Sequence, residues 1–336
     1  MRAFGVDFDV KPGYLNTPSI GVPPRHVVDT VRDVVDRWAA GATAASEFDA
    51  PVERARDGFA ALAGVPATSV AIGDVVSSLL GRVAASLPTR TRVLTADREF
   101  TSVSFPFAAQ GHEVHEAPLA QLPERAREYD VVACSVVASA DGAIADLDGL
   151  RAAAADTLVV LDVTQALGWL PVALDWADVV VGAGYKWLLS PRGASWMALS
   201  DRLLERVVPA AAGWYAGADR WDSIYGLPLR LAADARRLDA SPAWLPHVGA
   251  AVALPWLASL DRTAVHEHAV GLADRVRAGL DLPPAGSAIV SVSREGAAER
   301  LVAAGLTGAV RAGAARVGFH LHNTVDDADA VVDALR

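Results

Sequence analysis

Two different periods of apolar and polar residues alternate along this chain. Between residues 70 and 200, short continuous apolar runs read as strands: VAIG (70–73), RVLTAD (92–97), DVVACSVVAS (130–139), TLVVLDV (157–163), ADVVVGAG (177–184) and ASWMALS (194–200). Stretches of helical period lie between them, such as SSLLGRVAASL (77–87) and LDGLRAAAAD (147–156). Strands that are apolar on both faces and separated by helices predict a mostly parallel sheet covered on both sides. Beyond about residue 245 the order changes. SAIVSVSRE, AAERLVAAG, TGAVRAG, ARVGFHLH and DDADAVVDALR read as strand, helix, strand, strand, helix, a smaller α+β unit. The fold class is therefore α/β. In open sheets of this kind ligands sit beyond the carboxyl ends of the strands. Asp162 and Lys186 both fall there.

Composition singles out one of these two. Of the 30 lysines and arginines, only Lys11 and Lys186 are lysines. A position that needs only positive charge is arginine everywhere else, so Lys186 marks a task that a guanidinium cannot perform. An arginine keeps its proton, whereas a lysine amine can lose one and attack a carbonyl. Lys11, in the polar stretch DVKPGY, reads as a surface residue.

The rest of the composition removes other classes. A hydrophobic content of 52% over 336 residues rules out a disordered chain and allows a large domain plus a smaller one. The net charge of −10 leaves no basic stripe for a nucleic acid. The start, MRAFGVDFDVKPGYLN, lacks the apolar core of a signal peptide. The longest apolar run, VGAAVALPWLASL (248–260), is too short to span a membrane and contains Pro255. One cysteine, Cys134, excludes intrachain disulfides and a Cys-rich zinc site, and it suits a cytoplasmic location. His266 and His268 stand two apart in a helical pattern and do not share a face. His320 and His322 would share a strand face but lack a third ligand, so no metal is expected. GAG (182–184) lacks the third glycine of a dinucleotide fingerprint.

If Lys186 carries pyridoxal phosphate, the neighbouring residues acquire roles. Asp162 can hold the pyridine nitrogen protonated, which makes the ring an electron sink. Gln165 can donate to the phenolic oxygen. IGDVVSSLLGRV places a helix start at Val75, Val76 and Ser77, whose free N–H groups suit a phosphate.

The segment LDVTQALGWLPVALDWADVVVGAGYKWLLSPRGASWMAL (161–199) resembles the class V aminotransferase superfamily of pyridoxal-phosphate enzymes, of fold type I. Cysteine desulfurases, kynureninases and isopenicillin N epimerases belong to it. The shared pattern is Asp-x-x-Gln, about twenty residues, Tyr/His-Lys, then Gly/Ser-Pro-Arg/Lys-Gly. YLNTPSIGVPP (14–24), GWYAGADRW (213–221), RRLDASPAW (236–244) and RVGFHLHNTVDDADAVVDAL (316–335) extend the likeness over the whole chain. It implies a large domain with a seven-stranded, mostly parallel sheet (16–245), a small C-terminal α+β domain (246–336) and an N-terminal segment packing on the latter (1–15). The resemblance makes Lys186 and Asp162 the catalytic pair, with Lys186 forming the aldimine. It places Gln165, Phe100 and Tyr185 around the cofactor, with Phe100 as the ring-stacking residue and Tyr185 against the phosphate. Trp214 and Ser241 fall where relatives reach the phosphate, in part from the other subunit, so a homodimer is implied. Arg316 matches the arginine that grips the substrate carboxylate, and Asn16 joins it in the substrate set.

Departures from the family narrow the reaction. Desulfurases carry a cysteine on a mobile loop before the carboxylate-binding arginine, but here Arg311 and Arg316 enclose only AGAA. Cys134, in the apolar run VVACSVV, reads as a core residue. Family threonines at the phosphate turn are replaced by Val75 and Val76. The expectation is an enzyme acting on an α-amino acid through an external aldimine and a Cα carbanion, with β-elimination of the C–S lyase kind and no persulfide cysteine. Transamination, then epimerisation, are the alternatives. A cofactor-binding subunit without catalysis is the alternative from another class.

Overall fold

The computed structural model describes residues 1–155 and 157–336. Two short strands, β1 (Arg2–Ala3) and β2 (Val6–Asp7), form an N-terminal hairpin, followed by helices α1 (Arg25–Ala39) and α2 (Asp49–Ala63). The main sheet is built from β3 (Val70–Gly73), β4 (Arg92–Ala96), β5 (Glu113–Ala117), β6 (Val131–Ser135), β7 (Leu158–Asp162), β8 (Val179–Ala183) and β9 (Ser195–Leu199). Its order is β3-β9-β8-β7-β6-β4-β5. The pairs from β5 through β8 are parallel, whereas β9 runs antiparallel to both β8 and β3. Intervening helices include α3 (Val76–Ser86), α4 (Thr101–Ala109), α5 (Leu122–Arg125), α6 (Leu147–Ala153) and α7 (Asp201–Leu204).

The continuous apolar runs are strands because both faces are covered. In β7, Val159 and Leu161 enter the core shared with α2, while Val160 enters the core shared with α3 and α4. The same alternation in β8 sends Val180 one way and Val179, Val181 and Ala183 the other. Period-2 parity then puts Asp162 on the α3 face of the sheet, level with the start of that helix. Six of the seven strands coincide with the predicted runs. The seventh, β5, was not anticipated because it is an edge strand whose Glu, His and Glu are not buried, so no continuous apolar run announces it. The run 130–139 is strand only as far as Ser135. The apolar stretch 248–260 lies, but for its last residue, in helix α8 (Trp244–Ser259), which packs along α2. Among the described residues no helix is long and apolar enough to cross a membrane.

The C-terminal part follows the predicted order. Helix α9 (Arg262–Gly279) leads to β10 (Ile289–Val292), α10 (Ala297–Ala303), β11 (Ala309–Arg311), β12 (Ala314–Gly318) and α11 (Val325–Leu335). The strands form an antiparallel sheet, β10-β12-β11, on a separate core that includes Leu15 from the N-terminal segment. That segment is also tied in by a backbone bridge from Tyr14 to Thr307 and by Gly13 N–H donating to Asp327 at 2.9 Å. β12 ends at Gly318, where a Cβ would lie 2.4 Å from a Pro18 ring carbon. His320 and His322 therefore lie beyond the strand, not on one of its faces as expected. Both are buried, bonding the carbonyls of Trp187 and Tyr14.

Candidate active site

A cavity of about 360 Å³ opens at the carboxyl ends of β6, β7 and β8. Val75, Val76, Ser77, Phe100, Asp162, Gln165, Tyr185 and Lys186 line it, so the structure brings eight of the predicted residues together. A second cavity of about 590 Å³ adjoins it, sharing Phe100, Ser139, Tyr185, Lys186 and Arg192. Its wall adds Arg311, Arg316 and the segment from Pro18 to Gly21.

Lys186 sits in the tight loop after β8. The loop is pinned by Gly184 N–H to Ala194 O and by Ser190 N–H to Gly184 O, both at 3.0 Å. From the other side Gly21 N–H donates to Tyr185 O at 2.9 Å. This approach is open only to glycine, since a Cβ at residue 21 would fall 1.8 Å from the Lys186 carbonyl oxygen. The lysine is buried, and its amine lies 5.3 Å from the Phe100 ring centre and 5.6 Å from that of Tyr185. Burial lowers its pKa to about 8; Asp162 opposes the shift, and Arg316, Arg311 and Arg192 add to it. At pH 7 about one tenth of such a lysine is neutral, against about one part in three thousand for an ordinary amine of pKa 10.5.

Asp162 closes β7, and its Oδ1 accepts the Thr164 N–H at 2.8 Å. Burial pushes its carboxyl upward, against the Thr164 bonds and the Lys186 charge. Among the described residues no cation lies within ion-pair distance of it. A buried carboxylate without a partner is unfavourable by itself. A protonated ring nitrogen would supply the missing charge. Gln165 is already committed: its Nε2 donates to Pro18 O (2.9 Å) and Ser139 Oγ (3.2 Å), and its Oε1 accepts the Trp187 indole N–H (2.7 Å). The indole fixes the amide's orientation, so a bond to a phenolic oxygen would have to replace the one to Ser139.

Helix α3 supplies the anion end. Val75, its N-cap, is extended and offers no side-chain cap, so the first helical N–H groups stay free for a ligand. The Val75 N–H, expected to face the phosphate, is already taken by Asp74 Oδ1 at 2.9 Å, so the free backbone groups start at Val76, and Ser77 adds a hydroxyl. Phe100 is 45% exposed at the start of α4, an aromatic face laid bare where a planar ring would cover it. The unpaired buried carboxylate, the uncapped helix, the exposed ring and the desolvated lysine together fit pyridoxal phosphate. Among the described residues no His, Cys, Asp or Glu group is arranged to hold a metal ion.

Arg316 is buried, not an exposed strand-end residue. Its Nη1 donates to the carbonyl and hydroxyl of Ser139 and its Nη2 to Ser19 Oγ at 2.8 Å. Its Nε is buried without a partner, so an open donor remains for a carboxylate. Burial, with Arg311 nearby, lowers its pKa to about 10. Asn16 takes no part in either cavity wall: its backbone bridges Gly318 and its Oδ1 is buried without a partner. Trp214 packs on Tyr215 and Trp221, and Ser241 is exposed; neither lines the Lys186 cavity of its own chain. The thiol of Cys134 is fully buried and pushed up by burial and by Glu99 and Asp162.

Several residues at the site were not anticipated. Arg192, the arginine of the quoted Ser-Pro-Arg-Gly motif, lines both cavities and stacks over Tyr185 at 5.1 Å. Glu99 is a half-buried carboxyl whose oxygens accept from Ser135 N–H (2.8 Å), Ser135 Oγ (2.6 Å) and Phe100 N–H (2.7 Å), which fixes Phe100. Ser139 joins Gln165 to Arg316. Only adjacency to Phe100 and to the motif lysine marked the first two in sequence.

Comparison with known proteins agrees with this geometry. The chain is 26% identical to the uncharacterized aminotransferase YcbU of Bacillus subtilis, over 91% of this chain and 88% of that one. It is 28% identical to a kynureninase of Deinococcus radiodurans, over 64% and 59% of the two chains. With the isopenicillin N epimerase of Streptomyces clavuligerus it shares 27% identity, over 73% and 66%. Its fold superimposes on the Escherichia coli cysteine desulfurase CsdA with a TM-score of 0.82, at 20% identity and over 98% and 95% of the chains. A cystine C–S lyase superimposes with a TM-score of 0.83, at 16% identity and 97% coverage of both. Residues 22–331 match the family described as aminotransferase class-V. The chain belongs to the class V aminotransferase family and is a pyridoxal-phosphate-dependent enzyme of fold type I.

Proposed function

We propose that this enzyme takes the Cα proton of an α-amino acid and expels a group from Cβ, as in C–S lyase chemistry, without passing sulfur to a cysteine of its own. The observation that carries the reading is that Lys186, Asp162 and Arg316 converge on two adjoining cavities. Pyridoxal phosphate, when bound, supplies an electron-withdrawing ring that makes the Cα–H acidic. Val76, Ser77 and Tyr185 would hold its phosphate, Asp162 its ring nitrogen and Phe100 its face. The Arg316 fork receives the substrate carboxylate and so orients Cα towards Lys186. The Lys186 amine, held near neutrality by burial, takes the Cα proton and can return it. The tight turn between β11 and β12 and the buried Cys134 leave no thiol to receive sulfur.

Transamination is the second reading, favoured by the likeness to YcbU over nearly the whole chain. We further propose a cytoplasmic homodimer in which Trp214 and Ser241 reach the partner's cavity, with each chain divided at residues 15 and 245. The test is to offer the holoenzyme L-cysteine, L-cystine and other amino acids with Cβ leaving groups and assay 2-keto acid. Elimination releases it without an added keto acid; transamination requires one for turnover. The Lys186→Ala protein must lose turnover, and full turnover in that variant refutes the role of Lys186.

A further inference from the structure

The wall of the second cavity, with Arg192, Arg311 and Arg316, carries more positive charge than a simple amino acid requires. Arg192, Arg311 and Arg316 all push down the Lys186 pKa. Among the described residues none of the three has a carboxylate within 4.0 Å, although most ion pairs of this chain are made by its other arginines. Two of the three have an evident counter-ion once the enzyme is loaded. Arg192 stacks over Tyr185 beside the start of α3, where the cofactor phosphate is expected. Arg316, whose Nε is buried without a partner, would take the substrate α-carboxylate. Arg311 is left over.

Its placement is built into the fold. Arg311 is the last residue of β11 and pairs with Ala314 across a two-residue turn. Its Nη2 lies 3.3 Å from Ser19 Oγ, the hydroxyl that also receives Arg316 Nη2 at 2.8 Å. The two guanidinium groups therefore converge on one oxygen, in the wall of the second cavity. Arg311 is exposed and its side chain also lines the cleft that continues past Phe100. An α-carboxylate on Arg316 leaves Arg311 within reach of a group one to three bonds beyond Cα.

We propose that Arg311 makes this enzyme selective for an α-amino acid with a second negative charge on its side chain, a carboxylate or sulfinate on Cβ or Cγ. The inference rests on the reading of the site as an α-amino-acid site. Binding is tested on the holoenzyme by calorimetry and by the cofactor's absorption, with L-aspartate, L-glutamate and L-cysteine sulfinate set against L-asparagine, L-glutamine and L-serine. The wild type binds the acidic members roughly tenfold or more tightly than their neutral counterparts. Arg311→Gln lowers that acidic-to-neutral ratio by a similar factor, and Arg311→Lys restores part of it. Equal loss for both sets would make Arg311 a second clamp on the α-carboxylate and overturn the proposal. Unchanged affinity for both sets would make it a surface residue and overturn it too. If the cofactor binds but no amino acid perturbs it, the amino-acid reading itself fails and this inference with it. Binding without acidic preference sinks this inference alone.

Discussion

At the scale of single residues, the site turns on the charge state of one amine. Lys186 has a pKa near 8, against 10.5 for a free lysine, because burial and three arginines disfavour the ammonium more than Asp162 favours it. The amine must be neutral to attack the cofactor's aldehyde. Uptake of pyridoxal phosphate by the apoprotein should therefore rise about tenfold between pH 7 and pH 9 and level off above. Stopped-flow absorption would follow it. A rate that kept climbing beyond pH 10 would show an ordinary lysine and remove the electrostatic account. Lys186, Asp162 and Gln165 were legible in sequence because each stands at a strand's carboxyl end in a spaced motif. Glu99, Ser139 and Arg311 were not. Each acts through a contact with a residue tens to hundreds of positions away, such as Ser135, Gln165 or Ser19, and one sequence carries no record of such pairings.

At the scale of elements, the β11–β12 hairpin decides what this enzyme can hold beside its substrate. The turn residues Ala312 and Gly313 both have positive φ, +50° and +84°. This is the geometry of a two-residue type I′ turn, which favours Asn-Gly and strains alanine at its first position. Ala312→Asn should raise stability by about 0.5–1 kcal/mol, read as a higher denaturation midpoint with an unchanged slope. No gain would mean that alanine there is not strained, or that the turn is of another type. The sequence already indicated that no thiol loop fits between Arg311 and Arg316. What it hid was that the shortness of this turn fixes Arg311 at the cavity wall. The same limit applies to β5. Three of its five residues are Glu, His and Glu, none of them buried at the sheet edge, and a search for continuous apolar runs passes over it. The helical stretch expected over 147–156 is helix over Leu147–Ala153, and its last position, 156, lies outside the described residues.

At the scale of the whole molecule, one surface is out of keeping with the rest. Trp221, Ile224, Tyr225, Leu227 and Leu229 form an apolar segment, with Tyr225 and Leu227 87% and 88% exposed. Single exposed apolar residues are ordinary, but a run of them marks a surface that is covered in use. Trp214, which packs on Trp221, belongs to the same region. It is one of the two residues that the family resemblance assigns to the phosphate and that the chain's own cavity lacks. The proposed second copy of the chain would account for both facts at once, by covering the segment and bringing Trp214 and Ser241 to the partner's cofactor. Light scattering should then give twice the chain mass for the wild type. Tyr225→Asp combined with Leu227→Asp should give a single chain mass, because burying two carboxylates at such an interface is strongly unfavourable. The double variant should also hold pyridoxal phosphate more weakly, since it loses the partner's contribution. A monomeric wild type with full cofactor affinity would remove Trp214 and Ser241 from the site. The phosphate would then rest on the α3 N–H groups, Ser77, Tyr185 and Arg192 of one chain.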